Sequence, residues 1–205
     1  MHDSEKDRRT VIDVLAAFIR EAPKRGEGQA GKKGKGPVRP QDAAIQAALV
    51  VLSRRPDKEI GFNLQGADLS GLNAVHLNLR GVFLHGASLE RISASGADLQ
   101  RAYLSNANLR EADLETACLD DAVFVKSDLT KANLRGASVS GVDWRQADLT
   151  DANLRGVLRL DRDALGRAKV TATTNLPSGE EEQGKVQLPN EEAESDLEVR
   201  EPPSL

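Results

Sequence analysis

Residues 97–136 read ADLQR AYLSN ANLRE ADLET ACLDD AVFVK SDLTK ANLRG, eight five-residue words in a single register. The third place of each word is apolar: Leu99, Leu104, Leu109, Leu114, Leu119, Phe124, Leu129 and Leu134. Two places earlier stands a small residue: Ala97, Ala102, Ala107, Ala112, Ala117, Ala122, Ser127 and Ala132. The residue between them is often Asp or Asn, as in Asn108, Asp113, Asp128 and Asn133. With the third place called i, the frame extends in both directions without an insertion. It takes in Leu64, Leu69, Ala74, Leu79, Leu84, Leu89 and Ala94 upstream, and Val139, Trp144, Leu149 and Leu154 downstream.

A period of five excludes the ordinary elements. On an α-helix at about 100° per residue, five steps advance roughly 140°, which scatters the apolar set around the axis. Along a strand, i−2 and i share a face, but an odd step of five turns the next pair outward. Every pair stays inward only if the chain turns once per word, and four quarter-turns close a square coil. The expected fold is an all-β solenoid whose nineteen words make just under five coils. At about 4.8 Å per stacked strand the column is roughly 23 Å tall. Two departures fit a repeat of twenty. Ala74 and Ala94 are small at i, while their i−2 partners Leu72 and Ile92 are large, so volume is conserved on one side of consecutive coils.

The pattern A-(D/N)-L-x-x over residues 61–157 resembles the pentapeptide-repeat family. That resemblance implies a right-handed quadrilateral β-helix. Two upstream stretches, DRRTVIDVLAAFIREAPKRG and PQDAAIQAALVVLSRRPD, look like segments of actinobacterial members. Many of those carry further sequence upstream, often with a membrane segment. The resemblance therefore implies membrane association if such a segment precedes Met1, and a cytoplasmic location otherwise.

Solenoid ends expose apolar core and strand edges, so caps are expected. Residues 1–22 form an amphipathic helix with Val11, Val14, Leu15, Phe18 and Ile19 as its apolar stripe. Residues 23–41 form a basic, Gly-rich flexible linker. Residues 42–60 hold a capping helix with Ile45, Ala48, Leu49 and Leu52 on one side, stopped at Pro56. After the repeat at 61–157, residues 158–177 form a C-terminal cap with a short helix starting near Asp161. Residues 178–205, with nine acidic side chains against two basic, have the composition of a disordered acidic tail.

Composition narrows the function. The net charge is −4 and aromatics are 3% of the chain, so the core rests on Leu, Val and Ala. A single cysteine, Cys118, excludes an intrachain disulfide and fits a reducing compartment. No apolar run approaches the roughly 18 residues that cross a bilayer. The histidines His2, His76 and His85 have no Cys or second His at ligand spacing, so no metal or other cofactor is expected. Gly66, Gly71, Gly81, Gly86 and Gly96 recur at i+2, where they serve coil corners rather than a phosphate loop. Asp113, Glu115, Asp120 and Asp121 fall at repeat positions and read as a solvated face, and Cys118 points outward between i−2 and i. The expectation is a protein that is not an enzyme.

Surface residues stack every twenty positions. On the side carrying Leu84, Leu104 and Phe124, the outward residues are Phe83, Tyr103 and Val123, with Val125 beside them. This apolar stripe is either covered by the helix at 5–21 or is an interface with another protein or a second copy in a homodimer. The leading expectation is a non-catalytic protein-interaction or scaffold module with a protein partner. A DNA mimic that binds DNA gyrase or another topoisomerase, of the fluoroquinolone-protection type, is the alternative. Arg80, Arg91, Arg101, Arg110, Arg135, Arg145 and Arg155 count against it, because mimicry needs a strongly negative rod. Peripheral membrane binding through the first helix and the basic linker is a third reading. Lys32, Lys33, Lys35 and Arg39 lack interleaved aromatics for stacking bases, so the linker reads as a spacer rather than a nucleic-acid site.

Overall fold

A computed structural model describes residues 3–24, 41–55 and 61–177. The expected linker and acidic tail, together with the end of the capping segment, lie outside the described residues at 25–40, 178–205 and 56–60.

From Asn63 onward the chain repeats one unit. A single residue at i−1 bridges in parallel to the residue twenty positions later: Asn63 with Phe83, Asp68 with Ser88, Asn73 with Ser93, Asn78 with Asp98, and so on to Ser138 with Leu158. The N–H of i donates to the coil above, as from Leu64 to Phe83 O at 2.8 Å, and the N–H of i−1 donates to the coil below, as from Phe83 to Phe62 O at 3.0 Å. Between sides, a turn closes with a bond such as Ala67 N–H to Leu64 O at 3.1 Å. Every i+2 residue from Gly66 to Gly156 takes a φ between +55° and +68°, as a type II turn requires. Glycine meets this demand without strain. Eleven of the nineteen corners use another residue, including Arg91, Thr116 and Lys131.

The i and i−2 side chains fill the column. Leu64, Leu69, Leu84, Leu104, Leu109, Leu114, Leu119, Leu129, Leu134, Leu149 and Leu154 have no exposed surface, and Leu79, Leu89, Leu99, Val139 and Trp144 are nearly as enclosed. Leu72 and Ile92 are buried beside Ala74 and Ala94, so the large residue simply changes places with the small one. Phe124 and Trp144, twenty apart, stack with centroids 5.1 Å apart and planes 11° from parallel. Asp and Asn at i−1 serve the turns: Asp68 Oδ1 accepts the N–H of Ser70 at 3.1 Å, and Asn108, Asn133 and Asp148 do the same for Arg110, Arg135 and Thr150.

Two helices sit at the lower end. Helix α1 runs Asp3–Glu21 and α2 runs Asp42–Ser53. Ile45, Ala48, Leu49 and Leu52 of α2 are buried, together with Ala16 and Ile19 of α1. Side chains then occupy the first coil's open polar edge. Gln46 bonds Asn73, Arg20 Nη1 donates to Asn63 O at 3.0 Å, and Arg55 donates to Asn78 O at 2.9 Å and Arg80 O at 2.7 Å. The buried Arg55 guanidinium also lies 4.7 Å from the centre of the Phe62 ring.

The apolar stripe expected on α1 divides in two. Ile19 turns inward with Ala16, while Val11, Val14 and Phe18 face solvent. Residues spaced 3 and 4 apart follow two parallel seams on one helix, and only the seam through Ala16 and Ile19 meets the rest of the fold.

At the upper end the ladder continues with a slipping register. Asp148 bridges Lys169, twenty-one residues on, and Asn153 bridges Asn175, twenty-two on. Ahead of these bridges, between Leu158 and Lys169, α3 (Arg162–Leu165) replaces one side, with Asp161 Oδ1 accepting the N–H groups of Asp163 and Ala164 at 2.9 and 3.2 Å. Leu165 and Thr174 are buried there, and the Thr174 hydroxyl donates to Leu149 O at 2.8 Å.

Candidate interaction face

The twenty-residue register sorts outward residues into four faces. One carries Asp68, Ser88, Asn108, Asp128 and Asp148; the next Asn73, Ser93, Asp113, Asn133 and Asn153; the third Asn78, Asp98, Cys118, Ser138 and Leu158. The fourth carries Asn63, Phe83, Tyr103, Val123 and Asp143. Phe83 and Tyr103 stack with centroids 5.0 Å apart and planes 10° from parallel. They remain 38% and 47% exposed, so α1 does not enclose them. Val123 and Val125 are half-buried above them. Parallel stacking at the strand repeat brings the two rings into contact without help from the core. The structure thus gathers Phe83, Tyr103, Val123 and Val125 on one side.

The polar faces are laced by ion pairs. Arg91 Nε lies 2.7 Å from Glu111, Arg110 Nη1 3.1 Å from Asp128, Arg135 Nη1 2.9 Å from Glu115 and Lys169 Nζ 2.9 Å from Asp148. Above the aromatic stripe, Arg145 bonds Asp143 through Nη2 at 2.7 Å and through Nε, which holds the Asp143 carboxyl below the usual range. Beside this pair is a cleft of about 310 Å³ lined by Trp144, Asp161, Ala164 and Arg167. Sequence reasoning did not find this cleft, because α3 breaks the register that would have placed its residues.

Groups with reactive potential stay apart. Cys118 is half-buried, with Gln100 Nε2 2.8 Å from its sulfur, rather than fully outward. His76 and His85 are exposed at separate corners. Among the described residues no group of three or more His, Cys, Asp or Glu side chains is placed to hold a metal ion. No helix among them is long and apolar enough to cross a membrane.

A stack of single-residue bridges closed by four turns per coil defines a solenoid built from five-residue words. The family described as pentapeptide repeats matches in eight copies over residues 87–124 and 127–157. The chain belongs to the pentapeptide-repeat family, and its column is the right-handed quadrilateral β-helix of that family. Among solved structures it is similar to Rfr23 from the cyanobacterium Cyanothece 51142, at 22% identity over 56% of this chain and 90% of that one, TM-score 0.48. It is similar to HetL, involved in heterocyst differentiation regulation in Nostoc sp. strain PCC 7120, at 34% identity over 54% of each chain, TM-score 0.44. A pentapeptide repeat protein of the Arabidopsis thaliana thylakoid lumen matches at 30% identity over 55% of this chain and 82% of that one, TM-score 0.39. No curated protein matches the chain.

Proposed function

We propose that this protein is a non-catalytic interaction module, a rigid column of just under five coils that presents the Phe83–Tyr103 face to a protein partner. The observation that supports this reading most directly is the exposed, stacked ring pair on a column whose other faces carry mostly polar outward residues, Leu158 at the upper end apart. Aromatic side chains lose little conformational entropy on binding, and here each ring already restricts the other, so the stripe is pre-organised. Helices α1 and α2 and the segment 158–177 act as the caps that keep the column monodisperse and soluble at its ends.

The gyrase-binding alternative draws less support. Arg91, Arg110, Arg135, Arg145 and Lys169 each sit on a carboxylate of the column, which offsets the negative field that mimicry of nucleic acid would use.

Affinity capture from a native lysate tests the proposal by comparing the wild type with a Phe83→Asp/Tyr103→Asp variant. A partner retained only by the wild type supports the stripe, and gyrase subunits in that catch would favour the alternative. Identical catches from two equally stable proteins would move the working surface elsewhere.

A further inference from the structure

We propose that the cleft between the edge 141–145 and α3 receives the C-terminal end of an extended peptide, which adds a short parallel strand to the column. On this side the ladder rises through Asn63, Phe83, Tyr103, Val123 and Asp143 and then stops. Asp163 stands twenty residues beyond Asp143, where the next bridge would fall, but it belongs to α3 and its N–H goes to Asp161 Oδ1 at 2.9 Å. Three backbone groups of the edge are left without a hydrogen bond among the described residues: the N–H of Gly141, the C=O of Val142 and the N–H of Trp144. One coil lower, their equivalents are all paired. Asp121 N–H donates to Ser140 O at 2.7 Å, Ala122 O accepts from Asp143 N–H at 3.0 Å and Phe124 N–H donates to Asp143 O at 2.9 Å. Val142 and Trp144 are 3% and 1% exposed, so their unpaired groups face the cleft rather than open solvent. Such groups are costly to leave without partners. The cleft, of about 310 Å³, lies at the small end of ligand sites and has room for a short stretch of chain.

The order donor, acceptor, donor along the edge selects the ligand. An anion could take the two N–H groups but would set its charge against the Val142 carbonyl, whereas a peptide backbone offers both kinds of partner. Lying parallel, as every bridge of the column does, a single peptide residue donates to Val142 O and accepts from Trp144 N–H. The inward neighbours of that residue have to be small, because Val142 and Trp144 are already enclosed. Beyond Trp144 the ladder is closed again, since Gln146 N–H donates to Arg167 O at 2.8 Å. An added strand therefore ends there, and a chain terminus fits. Charge agrees with this direction. At the Gly141 end stands Asp121, which faces Arg101 at 3.9 Å. Of the charged residues lining the cleft, Asp143 is held by Arg145 at 2.7 Å and Asp161 caps α3. The Arg167 guanidinium makes no hydrogen bond among the described residues, and it lines the end where the terminal carboxylate would lie. The site shares a side of the column with Phe83 and Tyr103 but does not require them.

Amide NMR of the full chain, titrated to about 10 mM with the probe acetyl-Gly-Ser-Ala-Thr-Ala carrying a free C-terminal carboxylate, tests the site. The amide signals of Gly141 and Trp144 are expected to shift saturably and to gain protection from hydrogen exchange. The same peptide with an amidated C-terminus should bind about fivefold more weakly. Methylation of its Thr nitrogen, which removes the donor to Val142 O, should weaken binding at least about tenfold. Arg167→Gln should abolish the difference between free and amidated peptides and leave the melting temperature unchanged, since that side chain is exposed. Phe83→Asp/Tyr103→Asp should bind the peptide as the wild type does. The proposal is overturned if neither amide shifts, if the N-methylated peptide binds equally well, or if wild type fails to distinguish the free from the amidated terminus. It is also overturned if Arg167→Gln keeps that distinction, or if binding is lost with the Phe83 and Tyr103 changes. Strong exchange protection of Gly141 and Trp144 before any peptide is added overturns it too, and would assign the edge to a segment of the same chain such as 178–205.

Discussion

The side-chain amide of Gln46 pairs with the backbone of Asn73 in both directions, its nitrogen donating to the carbonyl and its oxygen accepting the N–H at 2.9 Å. Asn73 lies in the first coil, and the position twenty residues earlier, Ser53, belongs to α2 rather than to a strand. A primary amide offers the same donor and acceptor as a peptide group, so one glutamine takes the place of a missing strand residue. Gln46→Leu should lower the stability by about 2 kcal/mol, since both backbone groups lose their partner under an apolar side chain. Gln46→Glu should lose most of this too, because a carboxylate cannot donate to the Asn73 carbonyl. Urea unfolding measures the difference, and an unchanged midpoint for Gln46→Leu would show that water serves the edge equally well.

Arg55 closes a second side. Its guanidinium donates to the carbonyls of Leu52, Asn78 and Arg80 at 3.2, 2.9 and 2.7 Å and covers the Phe62 ring. Arg55→Met keeps much of the apolar stem but removes these charge-assisted bonds, and should cost about 3 kcal/mol. Arg55→Lys should recover only part, because an ammonium lacks the planar fork that reaches the carbonyls of Asn78 and Arg80 together. Thermal unfolding in which Lys equals Arg would argue that the charge alone matters.

Thr116 is a β-branched residue held at a φ of +55°. Thr116→Gly should stabilise the column by about 1 kcal/mol, because the left-handed conformation carries a cost for L side chains that glycine escapes. The opposite change at the start of the column should do harm. A Cβ at Gly61 would run into the carbonyl oxygen of Gly81 in the next coil, and Gly61→Ala should cost more than about 2 kcal/mol. If Thr116→Gly destabilises instead, the side-chain contacts of Thr116, among them its hydroxyl's bond to Glu115 O at 2.7 Å, outweigh the backbone strain.

Two exposed ion pairs set an acid-side limit. The hydrogen bond from Arg91 holds the Glu111 carboxyl below its ordinary value, outweighing partial burial, and the bond from Arg145 does the same for Asp143. A carboxyl whose folded pKa is depressed contributes stability that is complete above the unfolded value, about 4. That contribution is lost as pH falls through the lower folded value. With Glu111 42% exposed and Arg145 61% exposed, each pair contributes little, and salt screens it further. The melting temperature should therefore be level from pH 7 to about 5 and fall below about 4. An Arg91→Gln/Arg145→Gln variant should show a shallower fall. An equal fall in that variant would assign it to other carboxylates.

The column was legible because its information is local and repeated. Leu99, Leu104 and Leu109 state the same spacing that Leu119, Leu129 and Leu149 state again, and each is enclosed by its counterparts twenty residues away. The exposed Phe83–Tyr103 contact followed from the same register. The non-glycine corners were not legible, because a row of glycines at Gly66, Gly71 and Gly81 suggests that the turn demands glycine. The hydrogen-bonded geometry in fact imposes the left-handed φ on Arg101 and Asp121 as well. On α1, spacing alone could not separate Ile19 from Phe18, since both belong to apolar rows and only docking decides which row is covered.

By itself the sequence determined the column: which side chains face the core, where the chain turns and which outward residues share a face. Those features repeat one short-range geometry, and a one-residue slip would bury Asp and expose Leu throughout. Only the tertiary structure decided how the column ends. Arg20 meets Asn63 across 43 residues, Gln46 meets Asn73 across 27 and Arg55 meets Arg80 across 25, each contact made once and with no period to announce it. At the other end the register slips to 21 and then 22 around α3. Such contacts depend on where a helix happens to dock and how far one side chain reaches, and both are settled only when the edge groups of the first and last coils must find partners away from water.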